Sequence, residues 1–497
     1  MKSLKINIVL FLLLGLASCK KEDAAYQSIP QVAISNIEKE YSILNVDLLN
    51  ITPAIQMDGQ PLIDDSKYDF LWINLGDATI TISPENADTI STSRNLVEAK
   101  MGYPTGKYEF LFKMTERATG IHYSKLFEVT ISSELQNGFL VLTSENGQPR
   151  LDMVVDLQAQ FTTHTDVLGK TNSALKLAGT PYFLSRIVNP FTGSKVYIGT
   201  SEGTNNVALE SFYYTPSMNI AYNFRVGNRT PENFKPTGMS EGFENTALLQ
   251  HNDEVYYTSF SDGPFSTAIN NFGSGNIPFK PSKWVAPYMT NSYNGNFILF
   301  DDEKQKFYNY KAGSLGCEEL PTGDKFDYHI KKKLVYMDYS TNNTGEIFAV
   351  LKNNNDSKHY LARFTAGYRT NIGTQLSFEE LNIPEIENAT AFATSALYGY
   401  LFYAVGGKVY SYDSGSKVVK EMINYGDRTI TFLRVDKPEI VFYPPSKVEG
   451  QLYVGSYGNT ANSGELEILK PAPIQGPFEK THHFKGLGKI VDVLRLY

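Results

Sequence analysis

The chain has 497 residues, enough for about three average domains, although β-rich architectures often form longer single units. Hydrophobic residues make up 42% of the sequence, which suffices for packed cores, and the 32 tyrosines and 30 phenylalanines favour β-strands. The formal net charge is −8, and no long run of lysines and arginines offsets it. This argues against a nucleic-acid partner, because phosphate binding needs a basic surface.

The beginning of the chain has the layout of a secretory signal. Two lysines precede a nine-residue apolar stretch, residues 6–14, which is too short to span a bilayer as a helix. The segment Leu16-Ala17-Ser18-Cys19 resembles a bacterial lipobox, in which a signal peptidase cuts before a cysteine whose thiol carries a lipid. We therefore predict a signal peptide over residues 1–18 and lipidation of Cys19. The alternative, a buried core cysteine, is disfavoured by the charged residues that follow at once.

The residues after Cys19 carry a second signal. The segment Lys20-Lys21-Glu22-Asp23 resembles the export tag that directs Bacteroidetes lipoproteins to the outer face of the outer membrane. Residues 19–30 lack hydrophobic periodicity and are predicted to form a tether. We expect the mature protein to be held at the outer membrane by its N-terminal lipid, facing the exterior, rather than to span the membrane. Lipidation would leave Cys317 without a partner in the chain, so we expect no internal disulfide.

Residues 31–132 are predicted to form a two-sheet β-sandwich of immunoglobulin type. They contain seven short alternating runs in about 100 residues, with turn residues between them. Trp72 lies in the run "YDFLWINL", where such a sandwich has its core tryptophan, and Tyr108 enters a strand two residues after Gly106, as at a tyrosine corner. We predict that Trp72 is a core residue rather than part of a binding site.

Residues 133–497 are predicted to form a β-propeller. Strand-like runs recur about every 52 residues, and repeats of this length are typical of propeller blades. A closed ring buries each small sheet against its neighbours and leaves only short edges. The runs predict about seven blades, and the final "GKIVDVLRLY" is expected to be a last strand that helps to close the ring. A series of sandwiches is the alternative, but it would need tighter spacing and more linkers. The runs are FLVL at 139, VYIG at 196, VYY at 255, FILF at 297, LVYM at 334, LFYA at 401 and LYVG at 452.

Three segments of the first domain resemble a polycystic-kidney-disease (PKD) repeat. "WINLGD", "GKYEFLFKM" and "KLFEVTIS" correspond to its W-x-F-G-D-G, G-x-Y and closing strand, with Asn74 lengthening the motif and Ala78 replacing its last glycine. With its lipobox and long β-rich C-terminal region, the chain resembles the PKD-like family of Bacteroidetes lipoproteins. The resemblance implies an accessory or glycan- or nutrient-binding role in uptake, beside a TonB-dependent transporter and its lipoprotein lid. It does not identify a ligand.

The sequence offers no motif for metal or covalent chemistry. Its seven histidines are scattered, and it has no H-E-x-x-H, C-x-x-C or G-x-G-x-x-G pattern. The oxygen-rich loops 342–346 and 353–357 lack the spacing of a calcium loop. Two acidic groups, residues 301–303 and 379–380, could serve glycoside hydrolysis by composition alone, but they are more typical of solvated turns. We therefore expect no enzyme, no cofactor and no metal ion.

Sugar binding has more support in the sequence. Residues 279–296 hold Trp284, Tyr288 and Tyr293 among Pro, Asn and Ser. Aromatic rings stack on the apolar faces of sugars while polar neighbours bind the hydroxyls, so these three residues are candidates for a ligand site. The alternative for Trp284 is that it wedges between two blades.

Three hypotheses for function follow from these observations. The first is a surface-anchored binding or accessory lipoprotein, the second an extracellular propeller enzyme acting on polysaccharide, and the third a structural subunit of a transporter complex. Acids with a histidine in a central channel would favour the enzyme, and an exposed aromatic strip would favour glycan binding. A large apolar patch without a pocket would favour the structural role.

Overall fold

The computed structural model divides the chain into two compact units. The first comprises Met1–Tyr41, Leu48–Ala99 and Lys107–Thr130, and the second comprises Ser42–Asp47, Lys100–Gly106 and Ile131–Tyr497. The structure describes residues 30–496 except for 45–46, 78–87, 102, 104, 134, 136, 158–159, 190–192, 210, 244, 260–262, 273–276, 290–294, 343–344, 368–371 and 438–449.

Several sequence predictions fall outside the described residues. They are the signal peptide 1–18, the lipidated Cys19, nearly all of the tether 19–30, Ala78 of the PKD motif and Tyr293 of the candidate ligand site. The predicted domain boundary between residues 132 and 133 stays a prediction. Among the described residues, no helix is long and apolar enough to cross a membrane.

The structure describes ten strands within residues 30–132. A five-stranded antiparallel sheet has the order β2-β10-β9-β6-β7, and smaller sheets have the orders β1-β4-β5 and β3-β8. The strands are β1 (Val32–Ser35), β2 (Glu40–Leu44), β3 (Leu48–Ile51), β4 (Ala54–Met57), β5 (Gln60–Pro61), β6 (Tyr68–Asp77), β7 (Asp88–Ser91), β8 (Leu96–Lys100), β9 (Gly106–Glu116) and β10 (His122–Ser132), with one 3₁₀ turn at Asp65–Lys67.

Trp72 lies in the core of the first unit, as predicted. On β6 it pairs with Phe112 of β9, and the two ring centroids are 4.6 Å apart. The indole is fully buried, and its Nε1 donates a hydrogen bond to the carbonyl oxygen of Ser93 at 2.9 Å. Burial of the ring with its one polar group satisfied explains why a tryptophan is tolerated at this position.

The remaining residues form strands β11 to β38, and the all-β class predicted from the sequence is confirmed. The strands are β11 (Gly138–Glu145), β12 (Gln148–Leu157), β13 (Gln160–His164), β14 (Pro181–Asn189), β15 (Gly193–Thr200), β16 (Gly203–Ala208), β17 (Gly238–Glu241), β18 (Thr246–His251), β19 (Glu254–Ser259), β20 (Asn271–Phe272), β21 (Ile277–Pro278), β22 (Ala286–Met289), β23 (Gly295–Asp301), β24 (Lys306–Tyr310), β25 (Glu318–Glu319), β26 (Lys333–Ser340), β27 (Glu346–Lys352), β28 (His359–Thr365), β29 (Gln375–Glu380), β30 (Ala391–Thr394), β31 (Tyr400–Val405), β32 (Lys408–Asp413), β33 (Val419–Asn424), β34 (Thr429–Val435), β35 (Leu452–Tyr457), β36 (Gly464–Lys470), β37 (Glu479–Leu487) and β38 (Lys489–Leu496). Among the described residues between β11 and β38, helical structure is limited to α1 (Val167–Lys170) and the 3₁₀ turns Pro216–Met218, Ile220–Tyr222, Ile386–Asn388 and Pro473–Gln475.

These strands form seven consecutive antiparallel sheets and one short ribbon, β20-β21. We number the sheets along the chain. Sheet 1 is β13-β12-β11-β38, sheet 2 is β14-β15-β16, sheet 3 is β17-β18-β19, sheet 4 is β22-β23-β24-β25, sheet 5 is β26-β27-β28-β29, sheet 6 is β30-β31-β32-β33 and sheet 7 is β34-β35-β36-β37. Each of the seven recurrent runs found in the sequence falls in a different sheet.

Seven buried hydrophobic clusters connect these sheets in cyclic order. Each of the first six lies between successive sheets, from the pair 1 and 2 to the pair 6 and 7. The seventh joins sheet 7 back to sheet 1 through residues such as Phe432, Leu466, Val141 and Val493. Middle strands such as β23 and β27 are therefore buried on both faces, which explains why they read as continuous apolar runs.

The last strand of the chain completes the first sheet. β38 pairs antiparallel with β11 from Gly138 opposite Leu496 to Ser144 opposite Lys489. The prediction that "GKIVDVLRLY" forms a terminal strand is correct, and its partner is the first strand of the same unit. The two ends of the second unit are thus joined by backbone hydrogen bonds rather than by a linker.

Candidate functional site

The candidate site is a cavity of about 720 Å³ inside the second unit. All seven sheets contribute to its wall, each through the strand at one edge, so we call it the central cavity. The contributing elements are β14, β17, residues 283–287 at the start of β22, β26, β30, β34 and β38.

Trp284 lines the central cavity and also packs between sheets. Its side chain is half-buried and contacts the clusters that join sheets 4, 5 and 6. Its ring meets Tyr336 of β26 edge to face, with centroids 5.1 Å apart, and Lys283 Nζ lies 4.9 Å from the centroid of the ring. The two interpretations drawn from the sequence, a wedge and a ligand platform, are therefore compatible at this residue.

Tyr288 is not available to a ligand, in contrast to the prediction. The side chain is 1% exposed in the cluster between sheets 4 and 5, and its hydroxyl donates to Asn309 Oδ1 at 2.5 Å. Burial raises the pKa of this phenol well above its ordinary value. The polar neighbours that suggested a binding loop follow the strand, whereas Tyr288 belongs to the strand itself.

Charged side chains from two sheets meet a backbone donor of a third sheet at one part of the cavity wall. Arg434 Nη1 of β34 lies 3.3 Å from Asp492 Oδ1 of β38. The other oxygen of that carboxylate accepts a hydrogen bond from the backbone N–H of Leu184 on β14 at 2.8 Å. Burial raises the pKa of Asp492, and the guanidinium and backbone donors oppose this shift. The carboxylate therefore ties three neighbouring sheets together at the cavity.

Two further acid–base pairs line the same cavity. Arg495 Nη1 lies 3.1 Å from Asp436 Oδ2. Lys437 forms an ion pair with Asp338, whose Oδ2 also accepts a hydrogen bond from the Tyr336 hydroxyl at 2.9 Å. Burial lowers the pKa of Lys437, while the carboxylate of Asp338 acts in the opposite direction. These paired charges give the cavity polar groups at fixed positions.

The acidic groups singled out in the sequence do not line the central cavity. Asp301 is fully buried rather than solvated, because its Oδ1 caps a turn by accepting from the backbone N–H groups of Glu303 and Lys304 at 2.9 and 3.1 Å. Glu379 accepts from the Tyr412 hydroxyl at 3.2 Å and pairs with Lys417. These contacts give both carboxylates a structural role in turns and strand packing.

The remaining candidates for chemistry are dispersed. Cys317 is buried, and burial raises the pKa of its thiol to about 12, which opposes nucleophilic reactivity. His482 packs edge to face against Phe161, while His483 Nε2 lies 2.7 Å from Glu465 Oε2, so the two adjacent histidines have separate partners. Among the residues that the structure describes, no three His, Cys, Asp or Glu side chains are grouped as metal ligands.

The charged residues of the cavity were missed by the sequence analysis. Asp492 and Arg495 lie within "GKIVDVLRLY", and Arg434 lies within the strand β34. Charged residues inside otherwise apolar strand runs were the available signal. The sequence could not indicate that these strands meet, because their pairing partners are far away along the chain.

The fold and cavity define an all-β protein of two units, and the described residues of the second unit form seven antiparallel sheets in cyclic order. Residues 21–181 match the model of the PKD-like family. No curated protein matches the chain.

Three solved structures are similar to the chain at low sequence identity. A quinoprotein alcohol dehydrogenase-like protein from Bacteroides thetaiotaomicron is 13% identical with a TM-score of 0.44, and the match covers 94% of this chain and 96% of that one. A protein proposed to be a 6-phosphogluconolactonase from Bacteroides uniformis is 12% identical with a TM-score of 0.39, covering 72% and 99%. The extracellular domain of a proposed one-component system from B. thetaiotaomicron is 10% identical with a TM-score of 0.36, covering 89% and 66%. Each likeness is remote, and the fold described above rests on the sheets and clusters of this chain.

Proposed function

We propose that this protein is a lipid-anchored lipoprotein of the outer-membrane surface and that its central cavity binds a carbohydrate. In this proposal the seven sheets are the blades of a β-propeller, and the first unit is a PKD-like sandwich. The cyclic succession of buried clusters supports the propeller. The lipobox-like segment and the PKD-like match support the anchor and the family role.

The observation that carries the proposed binding function is the composition of the cavity wall. A half-buried tryptophan lies in the same wall as paired carboxylates and guanidinium groups, such as Asp492 with Arg434. Sugars are recognised by this combination, because aromatic rings contact their C–H faces and fixed polar groups bind their hydroxyls. A volume of about 720 Å³ falls in the range of small-molecule sites.

Binding is favoured over hydrolysis by the partners of the cavity acids. Asp338, Asp436 and Asp492 each lie against a cation, and Asp492 also accepts backbone hydrogen bonds. These contacts engage the carboxylates with protein donors in the wall and give them structural partners. The proposed partners are accordingly a glycan and, through the lipid, the membrane. A TonB-dependent transporter with its lipoprotein lid remains the partner implied by the family resemblance.

The test is a glycan-array and hydrolysis screen of the chain from residue 20 onward. We expect selective binding without product formation, and we expect Trp284→Ala to weaken binding about tenfold, since stacking on a ring contributes about 1 kcal/mol or more. Tyr222→Ala is the matched control, because Tyr222 is a 56% exposed aromatic residue outside the central cavity. Release of shortened glycan would contradict the binding role, and equal effects of both variants would remove Trp284 from the site.

A further inference from the structure

The segment that carries Trp284 is held rigidly at the wall of the central cavity. The backbone N–H of Ser282 donates to the Phe300 carbonyl at 2.8 Å, and the Ser282 carbonyl accepts from Gln250 Nε2 of sheet 3 at 3.0 Å. The backbone N–H of Trp284 donates to Ser282 Oγ at 3.3 Å. Bonds within sheet 4 and from sheet 3 thus fix Lys283 and Trp284 before any ligand arrives, which lowers the entropy cost of binding.

The side chain of Lys283 lies beside the ring of Trp284. Its side chain is exposed to the cavity, and its ammonium nitrogen lies 4.9 Å from the ring centroid, in the range of a cation–π contact. A neutral sugar that stacked on this side of the ring would have to displace the ammonium. An anionic group on the sugar would instead find a cation that the ring already positions.

The charged residues in the wall of the central cavity also favour an anionic ligand. The described lining residues include five cations and four carboxylates, a net charge of +1, although the whole chain has a net charge of −8. Arg434, Arg495 and Lys437 each lie against a carboxylate, whereas no described carboxylate lies within 4.0 Å of Lys283 Nζ. Of these four cations, Lys283 beside Trp284 is the one without a neighbouring carboxylate among the described residues. The charged lining residues are Arg186, Glu241, Lys283, Asp338, Arg434, Asp436, Lys437, Asp492 and Arg495.

We propose that the ligand of the central cavity is an anionic sugar whose carboxylate or sulfate binds Lys283 while its ring contacts Trp284. This inference rests on the proposed carbohydrate-binding function and specifies its ligand class. The ammonium can donate up to three charge-assisted hydrogen bonds to an oxyanion. An ion pair between Lys283 and the anionic group would favour anionic over neutral sugars, because a neutral sugar offers the ammonium no counter-charge.

The experiment compares a galacturonic acid trimer, a sulfated galactose trimer and the neutral galactose trimer by isothermal titration calorimetry. The full chain is purified in detergent as wild type, Lys283→Met, Lys283→Arg and the control Lys195→Met, an exposed lysine on β15 away from the cavity. Methionine keeps the apolar stem over the ring, so it removes only the charge. Thermal unfolding confirms that the variants are folded.

We expect at least one anionic trimer to bind roughly tenfold more tightly than the neutral trimer, with affinity falling as salt rises. Lys283→Met should remove this preference, Lys283→Arg should keep most of it, and Lys195→Met should leave it unchanged. Neutral and anionic trimers binding equally would overturn the anionic ligand while leaving the carbohydrate proposal intact. Binding of none of the trimers, together with an empty glycan array, would overturn both. An anionic preference that survives Lys283→Met would overturn the role of Lys283.

Discussion

Glu346 and Arg363 form a buried ion pair between β27 and β28 of sheet 5. Glu346 is fully buried, and Arg363 donates from Nε at 2.9 Å and from Nη2 at 2.5 Å to the same carboxylate oxygen. The second oxygen accepts from Asn342 Nδ2 at 2.7 Å, and the guanidinium carbon lies 5.0 Å from the centroid of the Phe348 ring. Breaking such a pair from one side leaves a buried charge without its partner.

We therefore expect Arg363→Met to lower the free energy of unfolding by about 3–5 kcal/mol, measured by urea denaturation of the second unit. The double variant Glu346→Leu/Arg363→Met should recover most of this loss, because it removes both charges. The control is Lys358→Met, which breaks the more exposed pair with Glu380 in the same sheet and should cost much less stability. A loss below 1 kcal/mol for Arg363→Met would show that the pair is not stabilising.

At the residue scale, the sequence predicted the core better than the site. Trp72 was predicted to be a core residue because it lies in an alternating run, where a large apolar side chain faces the core of a sandwich. The structure shows that it is fully buried. Tyr288 was misassigned because local composition does not show which residues of a segment are paired in a strand. Trp284 stays a prediction as a ligand contact, and its contact with Lys283 depends on side-chain geometry that no sequence pattern encodes.

At the scale of single elements, β38 connects the end of the chain to its sheet. Ile490 and Val493 are buried in the cluster that joins sheets 7 and 1, and Leu494 and Leu496 are buried in the cluster that joins sheets 1 and 2. β38 also supplies Asp492, which contacts β14 and β34. Its removal would expose two apolar clusters and open one side of the central cavity.

We predict that a chain truncated after Gly488 loses the cooperative thermal transition of the second unit, measured by circular dichroism. A synthetic peptide of residues 489–497 added in trans should restore part of that transition, because the missing strand can pair again with β11. A peptide of the same composition in scrambled order is the control. Unchanged melting of the truncated chain would mean that β38 does not stabilise the unit.

The strand pattern was largely predictable at this scale, since seven apolar runs marked one strand in each of seven sheets. Apart from β26, which lies at the cavity edge and is only partly buried, these strands are largely buried on both faces, and a continuous apolar run is the expected result. The strands at the cavity edge are less visible in the sequence. β17 and β30 are four residues long, and β17 contains polar residues that line the cavity, so neither gives an alternating or continuous apolar signal.

At the scale of the whole molecule, the proposed lipid anchor predicts a distinct chemical state of the two cysteines. Mass spectrometry of the mature protein from membranes should find Cys19 as the first residue, carrying acyl chains. Unfolded protein should then contain one reactive thiol, that of Cys317. The native protein should react slowly at pH 8, because Cys317 is 7% exposed and its thiol pKa is raised from 9.0 to about 12.

The raised pKa of the Cys317 thiol also determines how its contribution to folding stability changes with pH. Between pH 9.0 and about 12 the unfolded chain loses the Cys317 proton while the folded chain keeps it, so the contribution of this group to stability decreases as pH rises. The control for the anchor is Cys19→Ser, which should leave the membrane fraction and still show one thiol after unfolding. Two reactive thiols in the unfolded wild-type protein, or an unmodified Cys19, would contradict the lipid anchor.

Long-range contacts account for what the sequence could not predict about the molecule as a whole. At the central cavity the backbone nitrogen of Leu184 on β14 lies 2.8 Å from Oδ2 of Asp492, a residue 308 positions later in the chain. Such contacts arise only when the sheets follow one another in cyclic order and β38 returns to sheet 1. Repeat spacing indicates how many sheets to expect, but the identity of the residues that meet at the cavity depends on the register of every sheet.

The most direct test of the central claim is a crystal structure of the mature chain with the best-binding glycan from the array. We predict electron density for the sugar inside the central cavity, with a ring against Trp284 and an anionic group within hydrogen-bond distance of Lys283 Nζ. Glycan bound elsewhere on the surface with the cavity free of it, or a cleaved product in the cavity, would contradict the account.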